Sequence, residues 1–277
     1  MLLGYNTNGL AHHDLFEAIE LLGECGYQSV ALTLDHGALN PFAEHLHSEI
    51  ARMKSLLQLC QMQSVIETGA RYLLDPRVKH EPTLVSPSVE ERARRGDFLC
   101  RSIDIAAELG SDCVSLWAGV VHDGASPEVT NSRLIEGLKP VLEHAAKRNV
   151  AIGFEPEPGM AIDSMNSFAQ LQASLPHPQL RLTLDIGHLH CLGETPIAEQ
   201  IERWRHLLVN VHLEDMRAGI HEHLMFGEGE VDFGPIMAAL QQSGYDGGVH
   251  VELSRHSHDG PRAVAQAREF LRPWFPN

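Results

Sequence analysis

Short apolar runs rich in β-branched residues alternate with amphipathic stretches along the whole chain. The runs have the length of buried strands, and the stretches place apolar residues at helical spacing, as at Val264, Ala267, Phe270 and Leu271. The predicted strands are 2–6, 29–34, 64–67, 113–117, 150–155, 180–185, 208–213 and 248–253. The helical patterns between or after them include 14–25, 44–61, 90–109, 127–148 and 261–270.

Glycines end several of the predicted helices and keep this repeat in phase. Gly26 and Gly244 each precede a tyrosine at the end of a helical pattern, and Gly110 follows the pattern at 90–109. Glycine suits the left-handed residue that ends a helix. Eight strands alternating with helices predict an α/β protein, a single (β/α)8 TIM barrel over residues 1–277. A doubly wound open sheet would need a glycine-rich phosphate turn, which Asn6-Thr7-Asn8-Gly9-Leu10 does not match.

The composition is that of a globular protein and disfavours two kinds of partner. Of the 277 residues, 43% are hydrophobic and 21% are charged, a balance that can fill a large core. Apolar runs stay shorter than a membrane span, and the N-terminus resembles a strand more than a signal peptide, so we expect a cytoplasmic protein without a membrane partner. A net charge of −16 disfavours nucleic acid, which is bound by cations placed against phosphates. The five widely spaced cysteines predict reduced thiols.

Ionisable residues end four successive predicted strands in the second half of the chain. They are Glu155, Asp185, His212 and Glu252. The functional residues of a TIM barrel lie at the carboxyl-terminal ends of its strands, so these four side chains are expected to meet. Three carboxylates brought together in a barrel mouth need a positive charge among them. Taken singly, each acid could instead cap a helix or form a surface ion pair. Oxygen-rich ligation with one imidazole favours one divalent ion, Mn²⁺, Mg²⁺ or Co²⁺, with Zn²⁺ left open.

The motifs around these residues resemble a known group of barrels. They are Gly153-Phe154-Glu155-Pro156-Glu157-Pro158-Gly159, Thr183-Leu184-Asp185-Ile186-Gly187-His188, Asn210-Val211-His212-Leu213-Glu214-Asp215 and His223-Leu224-Met225-Phe226-Gly227-Glu228-Gly229. With its strand order, the chain resembles the xylose-isomerase-like superfamily, which includes sugar phosphate isomerases, ketose 3-epimerases and, more distantly, endonuclease IV. The resemblance implies that the strand-end Glu, Asp, His and Glu are the metal ligands.

The same resemblance assigns substrate-binding roles around the metal. His188 resembles a histidine that faces the substrate or a second metal, and His223 resembles another histidine of the rim. Trp117, at the end of the fourth strand, matches the aromatic wall of ketose epimerases, although it could also be a barrel-packing residue. Arg217 lies near the position of a substrate-binding arginine, with a different spacing from His212.

The third strand leads from a candidate rim residue into a long irregular segment. Glu67 ends this strand and is expected to point into the mouth, where it would contact the substrate. Residues 69–88 carry prolines at 76, 82 and 87, and loops of this length in a compact domain commonly cover an active site. Their basic part, 71–80, is expected to present Arg71, Lys79 and His80 as cations to a phosphate or carboxylate of the substrate. The alternative is that ion pairs pin the loop.

The implied reaction is the isomerisation or epimerisation of a sugar, keto-sugar or cyclitol through an enediolate. A metal polarises the carbonyl, and Glu155 and Glu252 transfer the proton from opposite faces, as the resemblance implies. A dehydratase could use the same site. A hydrolase of the endonuclease IV type needs further histidines on the third and fourth strands, where this chain has Glu67 and Trp117.

Two further questions stay open at this level. His188, His221 and His223 resemble the additional metal-site positions of the hydrolase class, so that alternative is kept. A barrel that binds sugar or metal without turnover would be expected to have lost a ligand, whereas all four are present. The expected partner is a small sugar-like molecule, and a homo-oligomer is left open.

Overall fold

Eight parallel strands close into a barrel in the computed structural model, which describes residues 1–276. The first seven barrel strands are β1 Leu2–Asn6, β2 Ser29–Thr33, β3 Gln63–Glu67, β4 Cys113–Leu116, β5 Ala151–Phe154, β6 Leu180–Asp185 and β7 Leu208–Leu213. Two strands outside the barrel follow, β8 Asp215–Arg217 and β9 Ile220–Leu224. The eighth barrel strand is β10 Gly248–Val251. Strand β1 pairs with both β2 and β10, which completes the circle. Strands β8 and β9 form a separate antiparallel hairpin outside the barrel.

Helices connect the barrel strands and enclose them. They are α1 Leu15–Glu24, α2 Leu46–Cys60, α3 Val89–Leu109, α4 Pro127–Arg148, α5 Met165–Ser174, α6 Ile186–Cys191, α7 Ile197–Trp204, α8 Phe233–Gln242 and α9 Gly260–Leu271. This arrangement confirms the predicted (β/α)8 barrel, and all eight predicted strands are present within two residues of their expected ends. The short helix α6 and the β8–β9 hairpin were not expected.

The glycines predicted to end helices have the required backbone. Gly26 has φ of +80°, and Gly110 and Gly244 each have φ of +76°. A Cβ atom disfavours this left-handed conformation, so glycine lets the chain turn sharply from helix to strand. The helix-to-strand phase that the sequence predicts is therefore confirmed at these three turns.

The barrel interior contains polar side chains as well as the expected apolar ones. His250 on β10 is fully buried, and its ring lies against two glycines of the barrel wall. A Cβ atom on Gly4 would lie 2.2 Å from His250 Cδ2, and one on Gly248 would lie 2.3 Å from His250 Cε1. The absence of side chains at these two positions makes the space for the imidazole.

Residues 69–88 form a long segment without helix or strand between β3 and α3. Leu74, Leu84 and Val85 are each about 1% exposed, so the segment is anchored in the core. All five cysteines are free thiols. Within residues 1–276, no helix has both the length and the hydrophobicity required to cross a membrane.

The close approach of Gly4 to His250 predicts the effect of a minimal substitution. Gly4→Ala should lower the free energy of unfolding by about 1–3 kcal/mol, because the added methyl group overlaps the buried ring. Urea denaturation followed by circular dichroism measures this. Gly96→Ala is the control, since Gly96 lies inside α3 with no atom near an added Cβ. That control should be neutral or stabilising, and equal effects of the two substitutions would contradict the packing account.

Candidate active site

The four predicted ligand residues meet at the carboxyl-terminal rim of the barrel. Glu155 directly follows β5, Asp185 ends β6, His212 lies in β7 and Glu252 directly follows β10. These strands are neighbours, and their register aligns Asp185 with His212. One potential ligand atom from each of the four residues lies within 4.8 Å of those of the other three. Four separate segments of the chain thus converge on one point because the strands are parallel and adjacent.

The imidazole of His212 lies at the centre of this cluster. Its Nδ1 atom is 2.9 Å from Glu155 Oε1, 2.9 Å from Glu252 Oε2 and 3.8 Å from Asp185 Oδ2. Glu155, Asp185 and His212 are buried, and Glu252 is partly exposed toward the cavity. Asn8 donates a hydrogen bond from Nδ2 to Glu252 Oε1 at 2.7 Å, which fixes that carboxylate from the β1 side.

Burial and mutual charge shift the proton affinities of these groups in different directions. Burial raises the pKa of Glu155 to about 8, although His212 opposes this shift. Burial also acts to raise the pKa of Glu252, but the charge and hydrogen bond of His212 outweigh it and hold this pKa below its usual range. Burial acts to lower the pKa of His212, yet Glu155 and Glu252 raise it well above its usual value. The imidazole is thus the main positive group among three carboxylates.

Asp185 shows that the cluster fits a cation. Its Oδ1 atom accepts a hydrogen bond from His188 N at 2.8 Å at the start of α6, so the helix-cap alternative describes this one oxygen. Its Oδ2 atom is buried and has no hydrogen-bond partner among residues 1–276. A buried carboxylate oxygen without a hydrogen-bond partner is costly. Three carboxylates and one imidazole nitrogen around it form a donor set suited to a divalent ion.

The second ring nitrogen of His212 contacts another predicted site residue. His212 Nε2 lies 2.9 Å from Glu67 Oε1, and Asn210 Nδ2 donates to the same oxygen at 3.0 Å. Glu67 is 7% exposed and borders the cavity. It therefore faces the mouth as expected, while its Oε1 atom is hydrogen-bonded to Asn210 and His212.

A second cluster of histidines lies beside the first. One nitrogen each from His188, His221 and His223 lies close enough to the others to hold a metal ion. His221 and His223 come from the unexpected hairpin strand β9. The carboxylate of Asp215 accepts hydrogen bonds from Gly227 N, Gly229 N and Val231 N, which fixes the turn that follows this hairpin.

Two glutamates near the predicted ligand residues were not expected in the site from the sequence. Glu157 lines the cavity and lies 3.7 Å from His188 Nε2 and 3.6 Å from His221 Nε2. The sequence could have indicated its place in the site, because it stands two residues after Glu155 in the Glu-Pro-Glu motif. Glu214 is fully buried, and burial raises its pKa well above the usual value, with Asp185 adding to the shift. Glu214 stands two residues after His212, and this alternation was its signal.

A cavity of about 330 Å³ opens above the candidate metal site. Of the predicted site residues, those that line it are Glu67, Arg71, Trp117, Glu155, His212, His223 and Glu252. Asp185 and His188 are buried and do not line it. Arg217 is exposed, is not part of the lining, and donates from its guanidinium to Glu228 O at 3.0 Å. The structure thus brings nine of the ten predicted site residues together around the cavity and leaves Arg217 outside it.

Trp117 is both a cavity wall and a packed residue. The guanidinium of the buried Arg95 lies 4.7 Å from the centre of its ring, and the ring of His80 meets it edge-on at 5.5 Å. Arg95 also donates to Thr68 O at 2.7 Å, at the end of β3. The two interpretations of Trp117 are therefore compatible, because one side of the ring is supported and the residue still borders the cavity.

The irregular segment contributes Gly69, Arg71, Lys79 and His80 to the lining of the cavity. Arg71 forms an ion pair with Asp35 at 3.3 Å and donates to Asn8 O at 3.1 Å, so it also fixes the segment to the barrel. Burial lowers the pKa of His80 to about 4, which makes the side chain neutral near pH 7. The expectation of a cationic His80 is thus wrong. Lys79 is exposed and makes no ion pair within residues 1–276.

Comparison with known proteins finds similar proteins over nearly the whole chain. L-ribulose-5-phosphate 3-epimerase UlaE of Salmonella paratyphi C is 25% identical over 264 residues, which cover 93% of each chain. The structure of D-allulose 3-epimerase from Methylomonas sp. in complex with D-allulose has a TM-score of 0.76 at 19% identity, covering 99% of this chain and 97% of that one. The IOLI protein with a bound zinc atom has a TM-score of 0.78 at 15% identity, covering 99% and 98%. At these identities the two structures show the shared fold.

A family model described as xylose isomerase-like TIM barrel matches residues 19–274, and the chain therefore belongs to the xylose isomerase-like TIM-barrel family.

Proposed function

We propose that the protein is a divalent-metal-dependent isomerase or epimerase of a sugar, keto-sugar or cyclitol. The observation that carries this proposal is the pair Glu155 and Glu252, which border one cavity and approach the same His212 nitrogen. The epimerase name of the curated relative and the D-allulose bound by the Methylomonas enzyme support a small sugar as substrate.

Each residue of the cluster has a definite task in this proposal. Glu155, Asp185, His212 and Glu252 would hold the cation, which when bound would polarise a carbonyl next to the reacting carbon. Glu155 follows β5 and Glu252 follows β10, with β6 and β7 between these strands. The two carboxylates therefore approach the cavity from different sides. Inversion at carbon needs one group that removes the proton and another that returns it from the opposite face, and Glu155 and Glu252 are proposed for these two roles.

The rest of the cavity supplies orientation and shelter from water. Asn8, Glu157, His221 and His223 offer hydrogen-bonding groups around the lining, as a polyhydroxylated substrate requires. Residues of the segment 69–88 border the same cavity and are proposed to cover it. A covered site protects an enediolate from water and from side reactions.

The convergence of His188, His221 and His223 favours a metallohydrolase as the second candidate, because a second cation would fit there. Two observations weigh against it. The further histidines that this class requires are replaced by Glu67, which is bonded to His212, and by Trp117, which is packed on Arg95. The net charge of −16 also disfavours a nucleic acid substrate.

Exchange of substrate hydrogen with heavy water tests the proposed reaction. Protein freed of metal and then loaded with Mn²⁺, Co²⁺, Mg²⁺ or Zn²⁺ is incubated in heavy water with free and phosphorylated ketoses, including D-allulose and L-ribulose 5-phosphate. We expect metal-dependent deuterium incorporation at the carbon next to the carbonyl, seen by NMR and mass spectrometry. Loss of water from the sugar would instead identify a dehydratase. Failure to exchange or convert any sugar, combined with phosphodiester cleavage, would favour the hydrolase.

We expect that replacing either proposed base lowers turnover and leaves the fold intact. Glu155→Gln and Glu252→Gln should each lower kcat by about 10²–10⁴-fold, because a general base is lost, and a weakened metal site adds to this. Steady-state kinetics at saturating metal and far-UV circular dichroism measure the two effects. Glu136→Gln, at an exposed position of α4, is the matched control and should behave as wild type. A glutamine variant with nearly full activity would remove that glutamate from the mechanism.

Substitution of Arg71 distinguishes substrate recognition from loop anchoring. Arg71→Ala should raise KM for an anionic substrate more than it lowers the melting temperature, because a cation at the cavity is lost. Asp35→Asn is the matched control, since it breaks the same ion pair and keeps the guanidinium. Equal kinetic effects of both variants, or a lower melting temperature with unchanged KM, would show that the ion pair only anchors the segment.

A further inference from the structure

A continuous chain of buried polar side chains runs through the barrel interior below the candidate metal site. Ser29 Oγ lies 2.9 Å from His250 Nε2, and His250 Nδ1 lies 2.8 Å from Asn210 Oδ1. Asn210 Nδ2 lies 3.0 Å from Glu67 Oε1, which lies 2.9 Å from His212 Nε2. Ser29, Asn210 and His250 are fully buried, and the chain ends at a proposed metal ligand.

The chemistry of the amide group sets the direction of these hydrogen bonds. The oxygen of Asn210 only accepts, so the proton in its contact with His250 is on His250 Nδ1. The nitrogen of Asn210 only donates, and its acceptor is Glu67 Oε1. Glu67 is therefore held by the side chain of Asn210, which is itself held by His250.

The same argument fixes which nitrogen of His212 faces the carboxylates. An ionised Glu67 only accepts, so His212 Nε2 carries the proton that is donated to Glu67 Oε1. Asn210 Nδ2 and His212 Nε2 lie 3.1 Å apart because both donate to that one oxygen. The other nitrogen, His212 Nδ1, then points at Glu155, Asp185 and Glu252.

We propose that Glu67 is a positioning residue, which orients His212 so that Nδ1 is the metal-binding nitrogen. Asn210 and His250 in turn hold Glu67 in place. This proposal builds on the metal site of the proposed function, and it gives Glu67 a different task from the substrate contact expected from the sequence. A carboxylate that accepts the second N–H of a metal-bound imidazole fixes the ring and makes it a better ligand.

The packing of the barrel around His250 supports a specific role for this chain of buried polar side chains. Any Cβ atom at Gly4 or Gly248 would overlap the ring of His250, so two strands are adapted to admit this imidazole. A buried carboxylate next to other acids is costly unless donors satisfy it. Glu67 Oε1 has two such donors, from Asn210 and His212.

Metal affinity measured on Glu67→Gln tests the proposal. Metal-free wild type and variant are titrated with Zn²⁺ and with Mn²⁺ by isothermal titration calorimetry. Loss of the charge of Glu67 should weaken affinity by about 10- to 100-fold, while the melting temperature of the metal-free protein stays near that of wild type. The visible absorption spectrum of the Co²⁺-loaded variant should differ from that of wild type, because the geometry of the His212 ligand changes.

Two further variants make the test specific. Glu81→Gln is the matched control, since Glu81 is a partly buried glutamate hydrogen-bonded to Ser86 and is not part of the ligand cluster. It should keep wild-type affinity and spectrum. Asn210→Leu removes the donor to Glu67 at similar volume and should weaken metal affinity, but less than Glu67→Gln does.

The possible results separate this inference from the proposed function. If wild type binds none of these metals, both fail. If wild type binds metal, and Glu67→Gln binds it equally well with the same Co²⁺ spectrum, the inference is overturned and the proposed function stands. An unchanged affinity with a raised KM would make Glu67 a substrate contact. A fall in the melting temperature of the metal-free variant without a fall in affinity would make it a structural residue.

Discussion

The accumulation of negative charge at one end of the barrel is the constraint on which the rest of the site depends. Glu155, Asp185 and Glu252 lie around a single imidazole, and the buried oxygen Asp185 Oδ2 has no hydrogen-bond partner in residues 1–276. Such an arrangement is stable only with positive charge at its centre. The raised pKa of His212 is the response of the protein alone, and a divalent cation would meet the same need more fully. In the proposal for Glu67, the buried polar chain orients His212 within this cluster.

The meeting of the four strand-end residues could be predicted because two local signals combine. Glu155, Asp185, His212 and Glu252 each end or follow an apolar run, and parallel strands of a barrel bring such positions to the same rim. The helix ends at Gly26, Gly110 and Gly244 were predictable for a similar reason, since the backbone there requires φ above zero. In both cases the information lies within a few residues of the feature that it determines.

Other parts of the site depend on contacts between residues that are far apart in sequence. The hydrogen bond between Glu67 and His212 joins residues 145 positions apart in sequence. The space for the His250 ring depends on Gly4, near the other end of the chain. The β8–β9 hairpin was hidden because its strands are short and mostly polar, so the position of Arg217 outside the cavity could not be foreseen. The charge of His80 was misjudged because burial, which lowers its pKa, is a property of the folded segment.

Anomalous diffraction from a crystal grown with Mn²⁺ or Zn²⁺ is the most direct test of whether Glu155, Asp185, His212 and Glu252 bind a metal ion. Data collected on both sides of the metal absorption edge locate the ion without reference to the protein coordinates. We expect one strong peak within roughly 2.0–2.4 Å of oxygens of Glu155, Asp185 and Glu252 and of His212 Nδ1. A strong peak only among His188, His221 and His223, or no peak at this rim at all, would contradict it.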